Sequence, residues 1–197
     1  VPFPLVKGPK GWTFDAKAGA EELINRRVGE NELFAIKSCL AHGDAQREYA
    51  EADRDGDGLI EYAQKFRSSE GKRDGLYWPV KEGEPLSPLG PLAAQVKVEG
   101  YAAKDAKPIP LHGYYYRILT SQGKDAPGGA YDYMVKGNMI GGYALVAYPA
   151  RWGASGVMTF ICNHDGVVYQ KNLGENSAEL ASKMTRFNPD ASWQKTE

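Results

Sequence analysis

The sequence predicts an α+β fold, with a long or kinked N-terminal helix packed on a mainly antiparallel sheet. Three observations predict it. Residues 20–52 are the only long stretch whose apolar residues recur at helical spacing. The acidic, glycine-rich run Asp53-Arg54-Asp55-Gly56-Asp57-Gly58 stops that stretch, because two glycines and three aspartates cannot continue a helix. From Gly113 onward the spacing shifts to the period of two expected of strands. Residues 1–16 read as an extended or hairpin segment, and residues 17–197 as a single α+β domain.

Taken in order, the opening segment carries three prolines among apolar residues and can only be extended or looped. Gly8-Pro9-Lys10-Gly11 marks a turn between two short strands, with Phe3, Leu5, Trp12 and Phe14 on the buried side. Asp15 is placed to cap the helix. Leu23, Ile24, Val28, Phe34, Ala35, Cys39 and Tyr49 form an apolar stripe, and Leu33, Ile36 and Leu40 lie outside it. Gly29 costs about 1 kcal/mol relative to alanine and predicts a kink or break over residues 29–31. Residues 59–66 read as a strand or a helical turn. Residues 76–79 read as an aromatic plug, residues 82–91 as a proline-rich loop and residues 91–98 as a short helix. Residues 114–119, 142–148 and 157–162 read as strands. Asn163-His164-Asp165-Gly166 is a hairpin turn returning through Val167 to Gln170. Residues 177–184 read as a short helix, followed by an irregular end.

The composition narrows the function. The chain has 197 residues and a net charge of −1, from 24 basic and 25 acidic side chains. That is enough chain for a core without staples, and no basic excess points to nucleic acid or an acidic membrane. No membrane-spanning run is evident. The two cysteines, Cys39 and Cys162, are far apart in sequence. They are either two buried thiols or one disulfide joining helix to sheet.

Candidate chemistry sits first in the acidic loop. Asp53, Asp55 and Asp57 at alternate positions followed by Gly58 form the first half of a calcium loop, with the Leu59 carbonyl and the Glu61 carboxylate as next ligands. The twelfth position, where an EF-hand needs glutamate, holds Gln64, so the run is either a shortened calcium loop or a polar turn. Tyr114, Tyr116, Tyr131 and Tyr133 are candidates for stacking a glycan or peptide, or for filling a sheet face. A Ser155–His164–Asp165 site lacks both the nucleophile-elbow spacing and the mutual orientation of a triad.

Three runs, NELFAIKSCLAHGDAQREYAEADRDGDGLIEYAQKFRSSEGKRDGLYWP, GYYYRILTSQGKDAPGGAYDYMVKGNMIGGYALVAYPA and SGVMTFICNHDGVVYQKNLG, closely resemble an exported bacterial family, domain of unknown function 2950. The family resemblance implies a signal peptide and further chain upstream, with Val1 as a processed or truncated start. The helix, polar loop and small sheet are also similar to the soluble part of type IV pilins and pseudopilins, although the apolar N-terminal helix that pilins assemble through is replaced by a proline-rich segment. Some pseudopilins hold calcium in a loop elsewhere in the fold. With no catalytic constellation in the sequence and an extended apolar N-terminus, the pilin-like layout implies an extracytoplasmic, non-enzymatic structural or assembly protein, a subunit of a filament or surface assembly. Val1 to Val6 would then add as a strand to a neighbour's sheet. The alternatives are a glycan- or peptide-binding module and a hydrolase built on His112 or His164.

Overall fold

The computed structural model describes residues 3–95 and 110–196. It begins with a two-stranded ribbon, β1 (Leu5–Gly8) and β2 (Gly11–Phe14), turning where the Gly8-Pro9-Lys10-Gly11 sequence requires. Helix α1 then runs unbroken from Ala16 to Tyr49. Asp15 caps it, accepting a hydrogen bond from the Ala18 amide at 2.9 Å. At about 1.5 Å per residue the helix is about 50 Å long.

The break expected at residues 29–31 does not occur. Arg27, Asn31 and Glu32 tie this part of the helix to one segment of the body. Arg27 Nε donates to the Ala154 carbonyl, Asn31 Nδ2 to the Ser155 carbonyl, and Glu32 Oε1 accepts from the amides of Val157 and Met158 at 2.8 and 2.9 Å. Three anchors outweigh the roughly 1 kcal/mol that one glycine costs.

The buried face of α1 also differs from the expected stripe. It consists of Ala35, Ser38, Cys39, His42, Ala45, Gln46 and Tyr49, at helical spacing but confined to the C-terminal half. Where it meets the sheet the face is made of small residues, Ala35 and Cys39, which let the helix lie close. Leu23 and Ile24, expected in the core, are exposed, and before Ala35 only Gly19 is buried. The ribbon differs likewise: Leu5, Trp12 and Phe14 are exposed rather than buried, and among the described residues β1 and β2 pair only with each other.

After α1 the chain crosses the acidic loop and runs irregularly through residues 59–66, neither strand nor helix. A side chain takes the place of a neighbouring strand there. The Gln46 amide accepts from the Ala63 amide and donates to the Ala63 carbonyl, both at 2.8 Å, inside the core. The expected plug follows, with Leu76 and Trp78 buried against Ala45, Tyr49 and Ala63. Helix α2 (Gly90–Gln95) matches the short helix expected over residues 91–98 as far as Gln95; the remainder lies outside the described residues.

The main sheet is antiparallel throughout. Its strands are β3 (Tyr114–Leu119), β8 (Ala144–Pro149), β9 (Thr159–Asn163), β10 (Val168–Lys171) and β12 (Gln194–Lys195), in the order β12-β10-β9-β8-β3. The 163–166 turn joins β9 to β10 as expected. Short strands β4 (Ser121–Gln122), β5 (Tyr131–Asp132) and β11 (Arg186–Phe187) make a second sheet, in which β11 and β4 run parallel. A hairpin of β6 (Met134–Val135) and β7 (Asn138–Met139) stands beside them.

Both faces of the main sheet are covered. On one face Leu145, Ala147, Phe160 and Cys162 meet Ala35 and Cys39 of α1. On the other, Ala144, Val146 and Ile161 meet Tyr133, Met139, Phe187 and Ala181 of α3 (Ser177–Ser182). This explains the uninterrupted apolar run Ala144-Leu145-Val146-Ala147: a strand buried on both sides loses the alternation of a half-solvated one. Arg117 secures the second layer, donating from Nη2 to the carbonyls of Ala181 at 3.1 Å and of Met184, at the C-terminal end of α3.

Candidate functional site

The acidic loop is shaped by its own carboxylates. Gly56 and Gly58 adopt positive φ, +83° and +88°, and so turn their amides inward. Asp53 accepts from both, Oδ1 from Gly56 at 2.7 Å and Oδ2 from Gly58 at 2.9 Å, while Asp57 Oδ1 accepts from Leu59 at 2.8 Å. These amides, that of Gly58 foremost, hold the Asp53 carboxyl below its ordinary pKa. Asp53, Asp55 and Asp57 each bring an oxygen into one group within 4.8 Å, all three exposed. Oxygen donors so arranged suit a hard divalent cation.

The two further ligands expected from sequence do not complete the group in the same way. Glu61 Oε2 accepts from the Met139 amide at 3.2 Å, and its carboxyl lies outside the three-aspartate group. Burial, then the negative charge of Asp55, raises the Glu61 pKa. The β6–β7 hairpin buttresses the loop from this side: Gln64 Nε2 donates to the Gly137 carbonyl, and Asn138 Nδ2 reaches Asp57 Oδ2 at 3.4 Å. Its turn residues, Lys136 and Gly137, both have positive φ. Leu59 is exposed at the loop's exit.

The four tyrosines do not share a surface. Tyr114 is fully buried beneath α1, its hydroxyl donating to the Met158 carbonyl at 2.8 Å. Tyr133 is fully buried on the opposite face of the sheet, bonded to Gln122 Oε1 at 2.9 Å. Tyr116 lines a cavity of about 10 Å³ with Ser38, His42 and Leu145, room for a single water molecule. Only Tyr131 is exposed. The four tyrosines are therefore divided between the two faces of the sheet and its rim.

Tyr131 instead belongs to a group around His164. Its hydroxyl lies 3.2 Å from His164 Nε2, and the rings of Tyr133 and Tyr143 meet the imidazole edge-on. Gly142, with φ +148°, admits the imidazole against the backbone; a Cβ there would lie 2.7 Å from Nδ1. Asp165 Oδ1 is 3.9 Å from Nε2, the same nitrogen that Tyr131 faces. A relay needs the carboxylate on the other nitrogen. Ser155 is elsewhere, its hydroxyl bonded to the backbone of Arg151. His112 stacks on Phe34, with ring centroids 3.8 Å apart.

Cys39 and Cys162 meet between α1 and β9 as free, buried thiols, not as a disulfide. The Cys162 thiol donates to the Cys39 carbonyl at 3.7 Å. Its neighbour Cys39 and burial raise its pKa well above the ordinary value, so it is a poor nucleophile.

Several residues that matter here carry no local sequence signal. Glu32, Gln46 and Arg117 act across more than a dozen positions, and their polar type alone predicts solvent exposure. His42, fully buried, was indistinguishable in sequence from a surface histidine. The exposed ribbon was legible only in part: its turn was evident, its lack of cover was not.

Over residues 1–196 the chain matches one family, described as "Protein of unknown function (DUF2950)". No curated protein and no solved structure matches it. Among the described residues no helix is long and apolar enough to cross a membrane.

Proposed function

From the premise that the chain belongs to the DUF2950 family, we propose that it is an exported, non-enzymatic structural protein, a pilin-like subunit of an extracytoplasmic filament or surface assembly. The observation that carries this reading is the division of the molecule into a closed body and a bare arm. The body has a sheet packed on both faces, with a water-sized cavity beneath α1 lined by Ser38, His42 and Tyr116. The arm, made of the β1–β2 ribbon and the first turns of α1, exposes Trp12 and Phe14 at 63% and 65%. A long helix whose C-terminal half lies on an antiparallel sheet and whose N-terminal half extends past it is the layout of a subunit that contacts others through its arm. The free strand from Val1 to Val6 envisaged from sequence takes another form, since Leu5 and Val6 pair within the ribbon; Val1 and Pro2 lie outside the described residues. The test is size fractionation and electron microscopy of extracytoplasmic material from cells producing the full protein. Recovery in particles much larger than one chain is expected, and recovery solely as single chains overturns the reading.

We also propose that Asp53, Asp55 and Asp57, with the Leu59 carbonyl, hold a structural calcium ion, and that Glu61 swings in or acts through water. The convergence of three carboxylates within 4.8 Å favours this reading.

A further inference from the structure

The chain has two cysteines among its 197 residues, and they meet in the core. They stand 123 positions apart, Cys39 on the sheet-facing side of α1 and Cys162 on β9, the strand that α1 mainly overlies. The two thiols interact directly, and both residues are buried, 2% and 4% exposed. A buried residue touches roughly 6–12 others, so two residues of such a chain meet by chance on the order of one time in ten or less. Packing alone asks only for a small apolar group at each place, and Ala35 and Ala147 supply that in the same layer. Two adjoining sulfurs add what alanine lacks, the capacity to join.

The position gives such a bond a use. Arg27, Asn31 and Glu32 tie α1 to residues 154–158, and toward its C-terminal end Gly43 and Gln46 tie it to Tyr143 and Ala63. Between these hydrogen-bonded ends the helix rests on the sheet through Ala35 and Cys39. A disulfide spans only about 4.4–6.8 Å between Cα atoms, and small neighbours favour that approach of helix to strand. The bond would also close a long loop, containing the acidic loop and strands β3 to β8, and long loops lose most freedom in the unfolded chain.

We propose that Cys39 and Cys162 are the two halves of a redox-closed staple, joined as the chain folds by a thiol–disulfide exchange oxidant, so that α1 is fixed covalently to β9; the free thiols described here are its reduced form. In the packed core Cys162 is a poor nucleophile, so exchange takes place before α1 docks, while both thiols meet solvent. One cysteine thiolate attacks a sulfur of the oxidant's disulfide, forming a mixed disulfide and releasing one thiolate. The other cysteine thiolate attacks the protein sulfur of that mixed disulfide, forming the Cys39–Cys162 bond and releasing the second. The protons given up by the cysteines end on the two released thiols, so the pair loses two electrons and the oxidant gains them.

The test refolds the reduced full chain from urea into glutathione buffers, from fully reduced to fully oxidised, followed by acid quench and alkylation. Mass mapping without reduction is expected to recover the Cys39 and Cys162 peptides joined within single chains. The oxidised wild type is expected to unfold at a urea midpoint about 1 M or more above that of the reduced chain. Cys39→Ala/Cys162→Ala is expected to have the same midpoint in both buffers; a redox-dependent shift that survives in this variant overturns the assignment to this pair. Two free thiols, or only glutathione adducts and interchain bonds, after refolding in the oxidised buffer overturn the proposal. A joined pair whose midpoint does not rise also overturns it, because the native packing then rejects the bond.

Discussion

Replacing His42 with leucine should make this protein more resistant to acid. His42 is 2% exposed, on the buried face of α1 between the rings of Phe66 and Tyr143, with Nε2 3.3 Å from Gln46 Nε2 and, among the described residues, no hydrogen-bond partner on Nδ1. Burial lowers its pKa from 6.5 to about 3. Above pH 6.5 the imidazole is neutral in both folded and unfolded chains and contributes nothing to the pH dependence. As pH falls below 6.5 the unfolded chain takes up a proton that the folded chain refuses, so stability is lost progressively until the folded pKa near 3. Each pH unit in that window is worth about 1.4 kcal/mol, which gives about 2 kcal/mol by pH 5 and at most about 5 kcal/mol over the whole range. Leucine suits the site: its neighbours Leu89, Leu92, Leu111 and Leu145 line the same small cavity, and Gln46 keeps both bonds to Ala63. Urea unfolding of both proteins at several pH values between 4 and 8 measures the difference directly, because carboxylates common to both cancel. The stability gap should widen in favour of His42→Leu by about 1.4 kcal/mol per pH unit below 6.5. Curves that stay parallel through this range would show that His42 titrates alike in both states and refute the reasoning.

Three further outcomes are expected. Arg117→Met strips the guanidinium from the Ala181 and Met184 carbonyls and should cost about 2 kcal/mol, with faster amide exchange in α3 than elsewhere; uniform exchange would contradict the capping role. Glu32→Gln leaves one amide oxygen for the Val157 and Met158 amides in place of a carboxylate and should cost about 1–2 kcal/mol by urea titration; an unchanged midpoint would show that the helix is not held there. Calcium at 100 times its dissociation constant should stabilise the wild type by about 2.7 kcal/mol in a melting experiment against chelator, and Asp53→Asn with Asp57→Asn should abolish the shift; equal melting in both conditions removes the calcium proposal.

Sequence patterning read local structure better than cover. The Asp15 cap, the Gly8–Gly11 turn and the hairpin turn at residues 163–166 are each dictated within four or five residues, and each is present. Which apolar residues are buried was decided by what lies opposite them. Leu23 and Ile24 have the periodicity of a core stripe, but both are exposed, and from Ala35 onward the buried face of α1 is made of other residues. Ser38, His42 and Gln46 look polar, yet form the contact face because small or hydrogen-bonded side chains let the helix approach. The irregular path of residues 59–66 depends on one distant amide, Gln46, which no pattern within the segment encodes. At the candidate cation site, the alternation of Asp53, Asp55 and Asp57 was fully legible. The diversion of Glu61 to the Met139 amide was not, because it needs a hairpin some eighty residues onward.

An arm that joins subunits is protected when they meet, and hydrogen–deuterium exchange of the full chain at two protein concentrations measures that at residue level. Amides in residues 5–14 and 16–26 should exchange rapidly in dilute solution and become protected as concentration rises, while the main sheet stays unchanged. Exchange in the arm that is independent of concentration would mean that no second copy covers it.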